Sequence, residues 1–218
     1  MTDLNEHNNR GWFNTHKAET KAVTEQFEEL VHALILRIGE FDSSVLHIQP
    51  KDTVFTLIRY PQFGQDRTPY NPVFRAHIAS KGKLPVPVGY YLMIKPGNQS
   101  YLCGGLFANS FRDATEMVRD YISEFGKEFD EIIHAPEFEK HFTVQGVSLL
   151  NVPSGYDREH PQAQWLKFKS WYLESPVTDE DIADAEQFVG EAANLFRIMK
   201  PFNDYLNKSL EGFQMPER

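Results

Sequence analysis

Between Arg59 and Asn71 the chain concentrates two guanidinium groups (Arg59, Arg67), a carboxylate (Asp66), a hydroxyl (Thr68) and two phenols (Tyr60, Tyr70) in a stretch interrupted by Pro61 and Pro69. The prolines restrict the backbone, and arginine offers a planar fork of donors suited to bidentate contact with a carboxylate or phosphate. In the run that follows, Arg75 and His77 stand two residues apart and so share one face of a strand. Arg59, Asp66, Arg67, Tyr70, Arg75 and His77 are therefore the candidate residues for holding a small anionic ligand. The same residues admit a plainer reading, in which Asp66 pairs with Arg67 or Arg59 and only locks the loop. No residue is assigned a catalytic role, and whether the chain is an enzyme stays open.

Other chemistries lack a pattern. There is no G-x-S-x-G, G-x-x-x-x-G-K-[ST], H-E-x-x-H or G-x-G-x-x-G, which removes the warrant for an elbow hydrolase, a P-loop, a zincin or a dinucleotide fold. The single cysteine, Cys103, sits in a strand-like run beside Gly104 and Gly105 and reads as a small buried hydrophobe. The eight histidines show no H-x-H or H-x-x-x-H pair, so no metal site and no cofactor is expected. His77 is the histidine of most interest, followed by His160 in Asp157-Arg158-Glu159-His160-Pro161, where Asp157 can equally serve as a cap.

The elements that must position these residues follow from periodicity. Val23, Phe27, Leu30, Val31, Leu34, Ile35 and Ile38 fall at the three-and-four spacing of a long helix over 15–38, closed by Gly39, with Trp12 and Phe13 as an aromatic anchor before it. From Leu46 to Phe107, β-branched and aromatic runs predict strands near 53–59, 73–79, 88–95 and 99–107. The last two form a hairpin across Pro96-Gly97-Asn98, with Leu92 and Leu102 inward and Gly104-Gly105 permitting close approach of another element. A helix follows, capped by Ser110 with Asp113 and carrying Met117, Val118, Tyr121, Ile122 and Phe125, then shorter pieces near 127–134 and 136–142. Strands are expected near 143–150 and 167–174, where Lys167, Lys169 and Trp171 would share a face. Thr178 and Asp181 cap a final helical region to about Leu210, with an interruption before Pro201. This order is not the alternation of a parallel sheet. It predicts an α+β fold with a mainly antiparallel sheet, flanked by long N-terminal and C-terminal helices, in a single domain over 1–218.

Charge is unevenly spread. The total is −9, with 22 basic against 31 acidic residues, but Lys51–Lys95 holds seven cations against two carboxylates, while Glu174–Glu191 holds seven acids and no Lys or Arg. An acidic surface repels a nucleic-acid backbone yet tolerates a local cationic site, so duplex nucleic acid is not an expected partner. With 41% hydrophobic and 24% charged residues the chain has enough apolar material for a packed core and is neither collagenous nor disordered. The apolar runs are too short to span a bilayer, residues 1–20 hold no apolar leader core, and one cysteine suits a reducing compartment. A cytoplasmic protein without a membrane partner is the expectation.

The stretches Asn8-Asn9-Arg10-Gly11-Trp12-Phe13, Pro50-Lys51-Asp52, Arg59 to Tyr70, Gly89-Tyr90-Tyr91, and Gly155-Tyr156-Asp157 with His160-Pro161 and Leu166-Lys167 resemble, in order and over nearly the whole chain, the family known as domain of unknown function 2461. That family's loop reads Arg-Asp-x-Arg-Phe-Ser-x-Asp-Lys-Thr-Pro-Tyr-Lys. Arg59, Phe63, Asp66, Thr68, Pro69 and Tyr70 match it, and Arg67 keeps the charge of a lysine. Tyr60, Gln62, Gly64 and Asn71 depart from it, removing one carboxylate and two cations. The resemblance implies no particular activity. Two functions remain: a domain binding, or acting on, a small anionic molecule, and a non-enzymatic module that docks a protein partner and uses the loop as a structural lock.

Overall fold

In the computed structural model, residues 1–59, 67–107 and 111–216 are described. They form nine α-helices and a four-stranded antiparallel sheet with strands in sequence order, β1-β2-β3-β4, and helices lie toward both chain ends: an α+β fold. The elements are α1 (Thr2–Glu6), α2 (Arg10–Thr15), α3 (Lys17–Gly39), a 3-10 turn at Ser43–Val45, α4 (Pro50–Thr53), β1 (Phe74–Ile78), β2 (Tyr90–Ile94), β3 (Ser100–Leu106), α5 (Arg112–Ile133), α6 (Pro136–His141), α7 (Ala163–Leu166), β4 (Trp171–Val177), α8 (Asp179–Ala183) and α9 (Ala185–Ser209). The chain divides into two compact units, one of Met1–Lys83, Tyr91–Leu102 and Pro176–Ala193, the other of Leu84–Tyr90, Cys103–Ser175 and Asn194–Arg218.

In the first unit α3 buries Phe27, Val31, Leu34, Ile35 and Ile38 of the predicted stripe, while Val23 is exposed and Leu30 half-buried, and Phe27 stacks on Phe74 of β1 at 4.9 Å. The helix continues through Gly39, where a Cβ would run into the Leu46 side chain, so this glycine marks a close approach rather than a left-handed cap. The β2–β3 hairpin turns on Gly97 (φ +83°) and Asn98 (φ +56°), and the Asp179 carboxylate accepts from both of their N–H groups (2.8 and 3.1 Å). Leu92 and Leu102 are buried, as predicted. Thr178 and Asp181 make the predicted capping box, but it caps the short α8 and not a continuous helix to Leu210, since extended backbone at Asp184 separates α8 from α9; the hydrogen bonds hold the Asp181 carboxyl below the usual carboxylate range.

The expected strand over 53–59 is replaced by the single turn of α4 and two isolated bridges, Val54 with Ala76 and Ile58 with Tyr70. Pro50 starts that turn, and between the two bridges four residues on one side span six on the other, a change of register that interrupts a regular ladder.

In the second unit α5 and the Asn194–Ser209 part of α9 carry an aromatic core. Phe129 lies 5.2 Å from Tyr205 and 6.0 Å from Phe202, and Tyr205 meets Tyr121 edge-on at 5.0 Å. The predicted interruption before Pro201 does not occur. The helix passes through, because Met199, Phe202, Tyr205 and Leu206 are all buried and that burial outweighs the roughly 3 kcal/mol that an interior proline costs. α5 is two helical stretches joined across a kink at Phe125, close to the expected division between a helix to Phe125 and a piece near 127–134, and its N-cap position is Phe111, with no side-chain cap. The expected cap Ser110 lies outside the described residues.

Residues 143–150 pair only at Gln145 with Tyr172 and Ser148 with Phe168, since the Ser170 hydroxyl takes the Val147 N–H at 3.1 Å. β4 begins at Trp171, so Lys167 and Lys169 precede it. They do not share an exposed strand face with Trp171, which is fully buried and donates its indole N–H to Trp165 O.

Gly104 and Gly105 provide the expected close approach. A Cβ on Gly104 would stand 3.0 Å from Met199 Sδ and 3.1 Å from Asn203 Oδ1, while Gly105 has φ +94° and faces the Trp171 carbonyl. Gly104→Val is expected to cost about 1–3 kcal/mol by overpacking. At about 2–4 °C per kcal/mol for a chain of this size, that lowers the melting temperature by several degrees. An unchanged melting temperature would remove the packing role.

Candidate ligand-binding site

Residues 54–59 and 67–76 run antiparallel, joined by Phe55 N–H to Arg75 O (2.9 Å), Asn71 N–H to Leu57 O (2.6 Å) and Arg59 N–H to Pro69 O (2.8 Å). Ile58 and Tyr70 face each other between the last two bonds, so they are a non-hydrogen-bonded pair. The N–H and C=O of Tyr70 consequently point away from the ladder. The Asn8 carboxamide meets both: its Nδ2 donates to Tyr70 O (2.9 Å), and its Oδ1 accepts from Tyr70 N–H (3.1 Å). Phe13 of α2 stacks on the Tyr70 ring, 3.9 Å between centroids and 11° from parallel. The predicted N-terminal aromatic anchor is thus Phe13, whereas Trp12 stacks on His16.

On β1, Arg75 and His77 alternate with the buried Phe74, Ala76 and Ile78 and lie on one face, as their spacing requires. The Arg75 guanidinium sits over the Phe55 ring, 5.2 Å from its centroid, and its Nε is buried with no hydrogen-bond partner among the described residues. Tyr91 of β2 lies 6.2 Å from Phe55 and 6.5 Å from the His77 ring. His77 is only 8% exposed, so it lines this face from within and is not an open surface group. Arg67 is exposed, Arg59 half-buried. Tyr70 is buried against Phe13. Asp66, with the departures Tyr60, Gln62 and Gly64, lies outside the described residues, and so does the test of its pairing with Arg59 or Arg67.

Next to Phe55 is a cavity of about 340 Å3 lined by Phe13, Phe74, Lys51, Lys83, Thr24 and Glu28, among others. The Lys83 ammonium donates to Val54 O (3.3 Å) across its wall. Lys51 and Lys83 were legible only as part of the basic stretch, and Phe55, Tyr91 and Asn8 not at all as site residues. The available signals were that Asn8, Lys51 and Tyr91 stand in the stretches that carry the family resemblance and that Phe55 lies in an expected strand.

Two further groups are accounted for structurally. His160 accepts the Gln162 N–H at Nδ1 (3.0 Å) and donates from Nε2 to Ser123 O (3.1 Å), while Asp157 accepts from Glu159 N–H, so this stretch ties a loop to α5. Cys103 is buried, and that burial, reinforced by Glu174, pushes its thiol from about 9 up to about 12. The unfolded chain releases this proton above about pH 9 and the folded chain retains it, so the thiol's stabilising contribution is complete below pH 9 and is lost as pH rises toward 12. Native Cys103 is therefore expected to resist an aromatic disulfide reagent at about pH 8 and to react once the chain is denatured. Rapid reaction of the native thiol would show it accessible. Asn8→Ala leaves two Tyr70 backbone groups without their partner and should cost about 1–3 kcal/mol, read as a lower urea midpoint.

No curated protein and no solved structure matches the chain. The stretches that form the Asn8–Phe13–Tyr70 clamp and the loop beside Arg75 fall within a family match covering residues 1–205, and the chain belongs to the family described as Conserved hypothetical protein (DUF2461).

Proposed function

We propose that this protein binds a small anionic molecule, a phosphate or a carboxylate, at Arg75 and the loop beside it. The observation that carries this reading is the Arg75 guanidinium, stacked on Phe55 with a buried Nε that no described residue accepts from. Leaving a charged donor desolvated and unmet costs about 1–3 kcal/mol, which an incoming anion oxygen removes. The ring beneath it holds the guanidinium in place in advance, so less side-chain freedom is lost on binding. Arg67 and Arg59 add cations from the two ends of the loop, His77 lines the same strand face, and Tyr70 holds the loop's return. A net charge of −9 favours a compact anion over a nucleic-acid backbone. The setting in this reading is the cytoplasm, supported by a lone cysteine and by the lack of any described helix long and apolar enough to cross a membrane.

A thermal-shift series with inorganic phosphate, pyrophosphate and citrate tests the proposal. A ligand at 100 times its dissociation constant stabilises by about 2.7 kcal/mol, or about 5–10 °C here. Arg75→Ala and Arg67→Ala should each abolish the shift, while Arg75→Ala alone costs at most about 1 kcal/mol of stability through the lost stack. If both variants unfold far more easily and no anion stabilises the parent chain, the arginines are a structural lock and the protein-docking alternative stands.

A further inference from the structure

α3 is apolar on more of its surface than its own core uses. Besides the buried stripe, Leu30, Ala33 and Leu36 recur every three residues on the opposite flank, and Leu36 is 52% exposed. Together with Ala185 and Val189 at the start of α9 they floor an open groove of about 850 Å3, with Glu29 and Glu186 on its rim. Among the described residues the one cation on the rim is Arg37, which donates to Glu40 (2.9 Å).

Two of the side chains lining the groove, Glu29 and Glu186, are acids, and the lining cation Arg37 is engaged by Glu40. Glu174–Glu191 contains seven acids and no Lys or Arg, and among the described residues no ion pair reaches any acid from Asp179 to Glu191. Hydrogen bonds with Thr178 hold the Asp181 carboxyl below the usual carboxylate range, and the Asp184 carboxylate accepts the backbone N–H groups of Glu186 and Gln187 (3.1 Å each). An apolar floor between two helices, flanked by uncompensated negative charge, is complementary to a helix that is apolar on one side and cationic on the other.

We propose that the α3–α9 groove docks a basic amphipathic helix of a partner protein. Its apolar residues, at i, i+3, i+4 and i+7, would sit on Leu30, Ala33, Leu36 and Val189, with lysines or arginines meeting Glu29 and Glu186. This surface is separate from the Arg75 face and does not depend on it.

The probe is a labelled synthetic peptide of about 18 residues, about five helical turns, with leucines at that spacing and lysines elsewhere. It is compared with a scrambled peptide of the same composition and with a version carrying glutamates for lysines. Anisotropy titrations should show binding of the first peptide only, weakening as salt rises. Leu36→Gln and Leu36→Glu should each weaken it about tenfold or more, and Glu186→Lys should do likewise. Leu36→Glu is the decisive variant, because it adds negative charge: mere electrostatic attraction would make it bind more tightly. Equal binding of the scrambled peptide, or unchanged affinity in Leu36→Gln and Leu36→Glu, overturns the proposal. So does sedimentation showing that the parent chain alone forms a dimer that Leu36→Glu dissolves, which would assign the groove to a second copy.

Discussion

A single carboxamide holds the candidate site together. Where Ile58 and Tyr70 oppose one another, antiparallel geometry turns the Tyr70 N–H and C=O outward, leaving them to be met by something other than the neighbouring strand. Asn8 supplies a donor and an acceptor in the relative placement of a peptide group and meets both. With Phe13 stacked on the same residue, the N-terminal helices fix the return of the loop, and the pairing of 54–59 with 69–76 follows from that fixed end. Register in such a ladder is a matter of parity. A slip of one residue would turn Arg75 and His77 into the core and Ala76 out of it.

The chemistry of the β1 face depends on how poorly its cation is served by its neighbours. Phe55 gives the Arg75 guanidinium a flat surface and no acceptor, so the stack orients the group without neutralising it. Lysines near Phe55 add charge from a different direction, one of them anchored to a backbone carbonyl. His77 and Tyr91 complete a half-buried aromatic surround in which electrostatic contacts are stronger than in bulk water. Cys103 shows the opposite use of burial: enclosure raises the thiol far out of the range in which it could act as a nucleophile.

In the second unit the governing constraint is aromatic packing. Phe129, Phe202, Tyr205 and Tyr121 interlock closely, α9 remains helical through Pro201, and the two helical stretches of α5 meet at a kink at Phe125. Glycine serves this packing by what it lacks. Gly104 and Gly105 let the β3 backbone approach Met199, Asn203 and the Trp171 carbonyl, positions at which a side chain would collide.

Local periodicity by itself determined the α3 stripe, the β2–β3 hairpin with its Pro96-Gly97-Asn98 turn, the α8 capping box and the shared face of Arg75 and His77, because each is set by residues within a few positions of one another. It also gave the α+β class, since the order of elements leaves no room for alternating crossovers. Tertiary structure decided the rest. The Ser170 hydroxyl competes for a backbone N–H in one expected strand, and a change of register between Val54–Ala76 and Ile58–Tyr70 breaks the other, neither of which propensity registers. Pro201 stays inside a helix because its neighbours are buried on a surface assembled from α5. Above all, Asn8 and Tyr70 meet across 62 positions of chain, and Phe55 lies under Arg75 across 20. Which polar side chain completes an outward-facing backbone pair, and which ring supports a cation, depends on the three-dimensional path between them. Spacing along the sequence carries no record of it.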